Sequence, residues 1–565
     1  MKKETIILII ILVTAFLLRL APITFGLPYI SVYGDEITHV IIAFKILANK
    51  SFAISSFGNT FLPPLLSYML VPIYAIIGFF GITFDFFKNM ADYKDFVIFN
   101  RELFLIPARV ISAFFGVGAV YFLYLLTEKI FNKKIALISA LFLAVSFLHT
   151  HDSQIGHIWS PITFFMIAGT YCCYMLYLHG GRKWYIFGSL CAGLGYAIGQ
   201  VPLVVAFLVF TAHIFYIKRM KTKFWDQKII IAMSLFLFLA GLFTFLNTYT
   251  FYKHGVEAIG VVMKLFGFDF HPATVISAVV KKATVAGNWK AAYQTLFFAE
   301  PPILIFGVLG SMLFLFKNKN FKTVAVLIFP LSYFAIMIFM YSLTYRYVIP
   351  LIPFLCLFAA YFIFTAKERI SPVWAKNIFF IVAIVVVGGY SFAVVSLYTL
   401  KLLRPYTLSQ SVDWVYKNVP SGKRIVSDIY LNRNKEAVKF LAQNNKFQWV
   451  DIKNQRLLTL EEEKYPKPNY FVIEPDLTDV FLLPLFERKA DYFLVSFYND
   501  KKEKEKYQML EAFPGKKKLV AKFYPTENKK EDTKDLLNFD PHWVLKSVLK
   551  NKYVGPHVEI YETVK

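Results

Sequence analysis

Tyr33-Gly34-Asp35-Glu36 sets two adjacent carboxylates just beyond an apolar run at residues 4–22. That run is about as long as a helix crossing a hydrocarbon core about 30 Å thick. The acidic pair therefore falls at a membrane–water boundary, where a carboxylate is costly without a partner or a function. On which side of the bilayer it lies, and what stands near it, follows from the rest of the chain.

Of the 565 residues, 57% are hydrophobic and 18% aromatic, and the mean hydropathy is +0.52. A water-soluble protein cannot cover that much apolar surface, so the chain reads as a polytopic α-helical membrane protein. The net charge of +24 raises nucleic acid as a partner. However, Lys and Arg sit in short loops between apolar runs, where they orient helices. No basic patch with interleaved aromatics forms a groove, so no nucleic-acid partner is expected. Cys172, Cys173, Cys191 and Cys356 lie within apolar runs and read as small buried hydrophobes, not disulfides or metal ligands. No small-x-small cleavage site follows the first run, which reads as an uncleaved first span.

Further apolar runs lie near residues 65–82, 106–127, 135–148, 161–178, 184–200, 202–217, 229–246, 302–316, 323–341, 348–366 and 378–399. Basic clusters at Lys2-Lys3, Lys129–Lys134, Arg182-Lys183, Lys218–Lys223, Lys317–Lys322 and Lys367–Lys376 fall on one side, the cytoplasmic one, only if 65–82 does not cross. Pro63-Pro64 and the internal Pro72 read as an interrupted segment lying along or dipping into the outer leaflet. The expectation is about eleven spans, a cytoplasmic N-terminus and an extracytoplasmic tail, in a multi-pass protein of the cell (plasma) membrane. The loops 23–105, 149–160, 247–301 and 342–347 then emerge on one outer face, and Asp35, Asp152 and Arg346 can meet there.

Two domains are expected: residues 1–400 in the membrane and 401–565 as a small extracytoplasmic α/β domain. Leu408–Tyr416 has the pattern of a short amphipathic helix. Arg424–Asp428, Asn469–Ile473, Asp491–Ser496 and His557–Tyr561 have the pattern of buried strands. The Lys- and Glu-rich segment 498–535 reads as surface loops.

For Asp35 two readings stand. It caps the amphipathic stretch Ile37–Leu47, accepting orphan backbone N–H groups, or it is a general base beneath a reactive hydroxyl or amine. The loop His149-Thr150-His151-Asp152-Ser153-Gln154-Ile155-Gly156-His157 is free of Lys and Arg. Its spacing is not that of a zinc site, so Asp152 reads as a second acidic group for the acceptor or as the partner of a cation. Tyr345-Arg346-Tyr347 is either a snorkelling Arg between interfacial tyrosines or a guanidinium that forks onto a phosphate. In the loop 247–301, Lys281 and Lys282 are candidates to grip an anionic headgroup.

Taken in order, these stretches resemble the polyprenyl-phosphate-sugar-dependent glycosyltransferases of the GT-C fold, the protein O-mannosyltransferases and the aminoarabinose transferases of lipid A. The residues carrying the resemblance are Asp35-Glu36, Pro63-Pro64-Leu65, Pro107-Ala108-Arg109-Val110, His151-Asp152-Ser153-Gln154 through Phe165, Gly193–Ala197 and Tyr345–Pro353. They cover most of residues 1–400. Two departures stand out. Trp159-Ser160-Pro161 lacks the acidic residue many members carry before that proline, and Phe61-Leu62-Pro63 lacks a Lys or His that some carry.

The resemblance implies inverting transfer of a sugar from a polyprenyl-phosphate donor to an extracytoplasmic acceptor, with membrane lipid as the medium. It implies Asp35, Glu36 and Asp152 as catalytic residues. Arg346, Tyr345, Arg109, Lys281 and Lys282 are implied around the donor phosphate. No cofactor is expected, a divalent cation being the alternative. The rival classes are a transporter, against which the scarcity of charge within the spans speaks, and a non-catalytic membrane scaffold.

Overall fold

The computed structural model describes residues 3–29, 34–52, 65–199, 201–246, 285–317, 326–327, 329–338, 344–443, 456–473, 490–497, 507, 510–511, 513–526 and 544–564. Tyr33, Pro63, Pro64, Lys281 and Lys282 lie outside the described residues, as does most of the segment 498–535.

Up to residue 418 the described elements are helical. α1 (Lys3–Leu20) is followed by α2 (Gly34–Asn49), α3 (Leu65–Thr83) and α4 (Met90–Phe99). Next come α5 (Leu105–Ile130), α6 (Lys133–Val145), α7 (Phe147–Ser153), α8 (Trp159–His179), α9 (Arg182–Ile198), α10 (Leu203–Met220) and α11 (Gln227–Leu246). α12 (Val285–Ala299), α13 (Pro301–Lys317) and α14 (Phe329–Ile338) lead to a 3₁₀ turn at Tyr345–Leu351. α15 (Ile352–Lys367), α16 (Val373–Ile384) and α17 (Tyr390–Leu402) complete the apolar part.

Burial separates the central helices from the lipid-facing ones. In α8, 83% of the apolar window is buried, against 11% in α11, where Leu237, Phe238 and Phe245 point outward. In water such side chains would be a liability; against lipid tails they are at home. α13 and α15 approach closely because Gly307 and Gly310 face the backbone of Leu355 and Phe358, where a Cβ would collide.

Among the described residues, seven helices are long and apolar enough to cross a bilayer, or nine if two bent pairs each count as one span. The chain is a multi-pass helical membrane protein. Every one of the eleven expected runs contains a described helix. Three of them fail the length or charge criterion: α1 carries Lys3, Glu4 and Arg19, α9 has 17 residues, and α14 has 10. One run breaks where the sequence reads as continuous: residues 135–148 bend by 58° at Ser146. α12, in the stretch read as the loop 247–301, is a helix that meets α13 at 116° at Glu300.

The expectation of an interrupted segment at 65–82 is corrected. α3 is one continuous helix of 19 residues with Pro72 inside it, and it passes the same span criterion as the others. On its buried face, Leu70, Val71 and Tyr74 pack with Val40, Ala43 and Ile46 of α2 and with Leu105 and Ala108 of α5. Tertiary packing of this face tolerates the proline's missing N–H.

Beyond α18 (Thr407–Asn418) the chain forms a five-stranded sheet. The strands are β1 (Arg424–Ser427), β2 (Phe471–Ile473), β3 (Tyr492–Phe497), β4 (Lys516–Phe523) and β5 (His557–Val564), with α19 (Lys435–Gln443) and α20 (Val544–Lys550) between them. Their order is β2-β1-β3-β5-β4, parallel through β2, β1 and β3 and antiparallel at β5 and β4. All four expected strands are present. β4 is a correction, since it lies inside the segment read as loops. Among the described residues this edge strand pairs with β5 alone; Lys516, Lys518 and Lys522 are exposed, as on many edges, while Lys517 lies over the Phe493 ring.

The sheet region sits at the same end of the bundle as the first loop. Asp95 of α4 receives Arg456 Nε at 2.8 Å and faces Lys464 Nζ at 3.6 Å. Ile98 and Phe99 pack on Leu457, Leu460 and Tyr465. Gly26 accepts a hydrogen bond from Ser409, and Phe25 packs on Tyr406.

Candidate active site

The acidic pair opens α2, and its two members part at once. Glu36 turns into the protein and is fully buried. Arg109 of α5 meets it with two donors, Nε to Oε1 at 2.8 Å and Nη2 to Oε2 at 3.1 Å. The Gly156 amide donates to the same Oε1 at 2.7 Å. Arg109 Nη1 donates to the carbonyls of Ile23 and Phe25, each at 2.8 Å. A fork-on-fork pair with its remaining valences filled is the form in which buried charge is tolerated. It ties α2, α5, the first loop and the turn after α7 together. Gly156 is needed because that turn lies directly on α5: a Cβ there would stand 2.8 Å from Ala108 Cβ. Glu36, expected in catalysis, and Arg109, expected at the donor phosphate, are thus buried and engaged with each other and with backbone groups.

Asp35 faces the other way. Its side chain is 44% exposed. Oδ2 accepts from Arg346 Nη1 at 2.6 Å and stands 3.3 Å from His157 Nε2. The same Arg346 nitrogen is 3.1 Å from His157 Nε2. The hydrogen bond with His157 first, and that from Arg346 next, hold the Asp35 carboxyl well below the usual carboxylate range against the opposing effect of burial. The cap reading is corrected: Asp35 lies in the first turn of the helix, and its hydrogen bonds go to side chains. The helix N-terminus still favours an anion there.

Arg346 reaches this point from the 3₁₀ turn, which aromatic contacts brace on both sides. Tyr345 stacks on His151 with centroids 5.7 Å apart, so it serves as a strut beside the guanidinium. Tyr347 meets Trp159 edge-on at 4.9 Å, and its carbonyl accepts from Tyr333 at 2.6 Å. Trp159, a departure from the resembled family, is therefore a buried buttress of the arginine turn. Nε and Nη2 of Arg346 make no hydrogen bond to the described residues, and its side chain is 28% exposed.

α7 is a helix where the sequence reads as an open loop, and all seven of its residues are buried. It disperses the histidines instead of gathering them. His149 Nδ1 takes Arg19 Nη2 at 2.8 Å, His151 Nδ1 pairs with Tyr398 Oη at 3.1 Å, and His157 joins Asp35. Among the described residues no group of three His, Cys, Asp or Glu converges as a metal site. Asp152 is buried behind the pair, and among the described residues neither carboxylate oxygen has a hydrogen-bond partner of good geometry. The Ser160 amide and the charges of His157 and Arg346 bear on it. The structure thus brings Asp35, Asp152 and Arg346 into one neighbourhood, with His157 among them.

Three further groups escaped the sequence reading. His39, one turn after Asp35, is buried, with its ring 6.4 Å from that of His157. Burial lowers its pKa to about 3, so it stands beside the site uncharged. Glu300 sits at the α12–α13 bend and accepts from Ser146 Oγ at 2.7 Å, the Leu148 amide at 3.1 Å and Ser391 Oγ at 3.0 Å. Arg19 is buried in α1, with Nη1 on the carbonyls of Ala15 and Ala144. A lone carboxylate ahead of Pro301-Pro302 was the available signal for Glu300; its pairing explains why the 135–148 run breaks at Ser146.

Residues 9–259 match the family model of the dolichyl-phosphate-mannose-protein mannosyltransferases. The family resemblance holds over this stretch, which supplies Asp35, Glu36, Arg109, Asp152 and His157, while Arg346 lies beyond it. No curated protein matches the chain by sequence. Among solved structures, ArnT from Cupriavidus metallidurans in the apo state is similar with a TM-score of 0.49 and 12% identity, over 99% of this chain and 98% of that one. The oligosaccharyltransferase of Archaeoglobus fulgidus gives 0.49 and 12%, over 90% and 71%. The arabinofuranosyltransferase AftD from Mycobacteria gives 0.40 and 12%, over 100% and 40%.

Proposed function

We propose that the protein is an integral membrane glycosyltransferase that moves a sugar from a polyprenyl-phosphate donor to an extracytoplasmic hydroxyl acceptor, with inversion. The observation that carries this reading is the pairing of a half-exposed carboxylate, Asp35, with an arginine whose Nε and Nη2 donors remain uncommitted among the described residues. Asp35 lies within the stretch that matches the mannosyltransferase family and Arg346 beyond it. In this reading α3, though continuous, does not cross, so that about eleven spans place the N-terminus in the cytoplasm, and the site and the domain 401–565 outside.

The chemistry asks little of the protein beyond placement and charge. A phosphate is a good leaving group, so no general acid is required. Arg346 forks onto its oxygens as negative charge develops. Asp35 Oδ1, which makes no hydrogen bond to the described residues, receives the acceptor hydroxyl and aims its oxygen at the anomeric carbon. A single displacement from the face opposite the phosphate inverts that carbon. Asp152 contributes negative charge behind the acceptor. No cofactor takes part in this scheme. The family match favours a mannosyl donor and a protein hydroxyl as the first pair to test.

The test is stabilisation of the detergent-solubilised protein by undecaprenyl phosphate. At a concentration 100 times its Kd, a ligand bound only to the folded protein adds about 2.7 kcal/mol, a shift of several degrees in Tm. A saturating lipid phosphate that leaves Tm unmoved, while mannose transfer is also undetectable, contradicts the reading.

A further inference from the structure

We propose that Arg19 and Glu300 act jointly as positioning residues for the site: together they hold the break at Ser146, and with it the direction in which α7 brings Asp152 and the turn to His157 up to Asp35. This rests on the donor reading above and adds to it two residues that touch neither donor nor acceptor.

A helix that breaks inside an apolar bundle leaves carbonyls at one new end and amides at the other. With no water to satisfy them, each costs free energy unless a side chain reaches it. At Ser146 the two ends are served by two different residues. Arg19 lies at the carbonyl end, where Nη1 donates to the Ala144 carbonyl at 3.1 Å and Nη2 to that of Leu143 at 3.4 Å. Glu300 lies at the amide end, where Oε1 accepts from the Leu148 amide at 3.1 Å and from Ser146 Oγ at 2.7 Å. A guanidinium only donates and a carboxylate only accepts, so neither can do the other's task. Both side chains are buried. The further contacts of Arg19 are the Ala15 carbonyl and His149 Nδ1, and that of Glu300 is Ser391 Oγ. The two opposite charges, set at the two ends of one break, therefore offset each other.

The break matters because of where it sends the chain. Asp152 lies about 9 Å past Ser146 along a helix, and the 58° bend moves it by about the same distance from a straight continuation of α6. The helices that hold the start of α7 also hold its end. α1 supplies Arg19 at the start and the Leu18 carbonyl at the end, where it accepts from Gln154 Nε2 at 2.7 Å. α17 supplies Ser391 on Glu300 and Thr399 Oγ1, 3.0 Å from the same Gln154 nitrogen. Past that point the Gly156 amide bonds Glu36 and His157 meets Asp35. Arg346 depends less on α7, because Trp159 and Tyr333 root its turn through Tyr347. Loss of either cap therefore acts on the reacting groups more than on phosphate binding.

The experiment is mannose transfer by full-length protein in nanodiscs, with kcat expressed per folded molecule. Glu300→Ala and Arg19→Met each remove one cap and are expected to lower kcat by about 10²-fold, the cost of a misplacement of about 1 Å. Their double variant should fall within about threefold of the worse single one, because both move the same helix; independent contributions would multiply to about 10⁴-fold. Glu300→Gln and Arg19→Lys keep an acceptor and a donor at the same ends, and so preserve the fold where the truncations do not. Each is expected to lose about tenfold in kcat, since Gln turns one acceptor oxygen into a donor and Lys lacks the planar fork. Donor KM should stay within about threefold in every variant. A purely structural role would lower the yield of folded protein and leave the kcat of what remains at the wild-type level. Wild-type kcat in both conservative variants, losses that multiply in the double variant, or a loss confined to donor KM overturns this proposal and leaves the donor reading standing. Wild type that is neither stabilised by undecaprenyl phosphate nor able to transfer mannose overturns both.

Discussion

Two arginine–carboxylate pairs grow from adjacent residues, and they are built to opposite ends. Glu36 and Arg109 are closed: both are buried, the fork is bidentate, and the leftover valences go to Gly156, Ile23 and Phe25. Asp35 and Arg346 are open. One Nη1 makes the contact, the carboxylate is 44% exposed, and Oδ1, Nε and Nη2 bind none of the described residues. The same two functional groups therefore make a rivet in one case and a latch in the other. What distinguishes them is how many hydrogen-bonding positions the fold has already filled.

The widest expected gap between the pairs is in stability. Glu36→Ala leaves Arg109 charged and unpaired in the interior and should cost about 3–5 kcal/mol, read as a large drop in the Tm of the solubilised protein. A loss below about 1 kcal/mol would put the rivet in doubt. Arg346→Lys keeps the charge of the latch and removes its fork. The donor KM should rise about tenfold, or about 1.4 kcal/mol, with Tm little changed; an unchanged KM would take Arg346 off the phosphate.

Asp35→Asn should alter stability by less than about 1 kcal/mol, read as a small change in Tm, because a partly exposed ion pair contributes little. Its pH behaviour follows from the lowered carboxyl. Such a group contributes stability above its unfolded value, and loses it only as pH falls through the still lower folded value. Between about pH 5 and 8, wild type and Asp35→Asn should therefore show parallel Tm profiles; divergence across that window would mean Asp35 titrates there. The smallest effect expected is that of chelator. EDTA should leave transfer unchanged, and a loss restored by added cation would assign a metal to the neighbourhood of Asp152.

The latch was easier to foresee than the rivet. Loop charge alone placed Asp35, Asp152 and Arg346 on one face, because apolar runs near 20 residues leave the chain few ways to cross a bilayer. The Glu36–Arg109 pairing was hidden, since it depends on Gly156 letting a turn lie against α5. The break at Ser146 was hidden for a similar reason: a serine in an apolar run signals nothing until Glu300, 154 positions away, accepts its hydroxyl. In the sheet region, short apolar runs revealed the buried strands, and β4 was missed because an edge strand studded with lysines has the composition of a loop. Pro72 misled in the opposite direction, as packing of α3 on α2 and α5 carries the helix through it.

The most direct measurement is transfer of radiolabelled mannose from a polyprenyl-phosphate donor to a hydroxyl-bearing peptide, by purified wild type and Asp35→Asn at equal folded concentration. The account predicts turnover by wild type and a loss of at least about 100-fold in the variant. Equal rates would remove Asp35 from the chemistry and leave the open pair without a function.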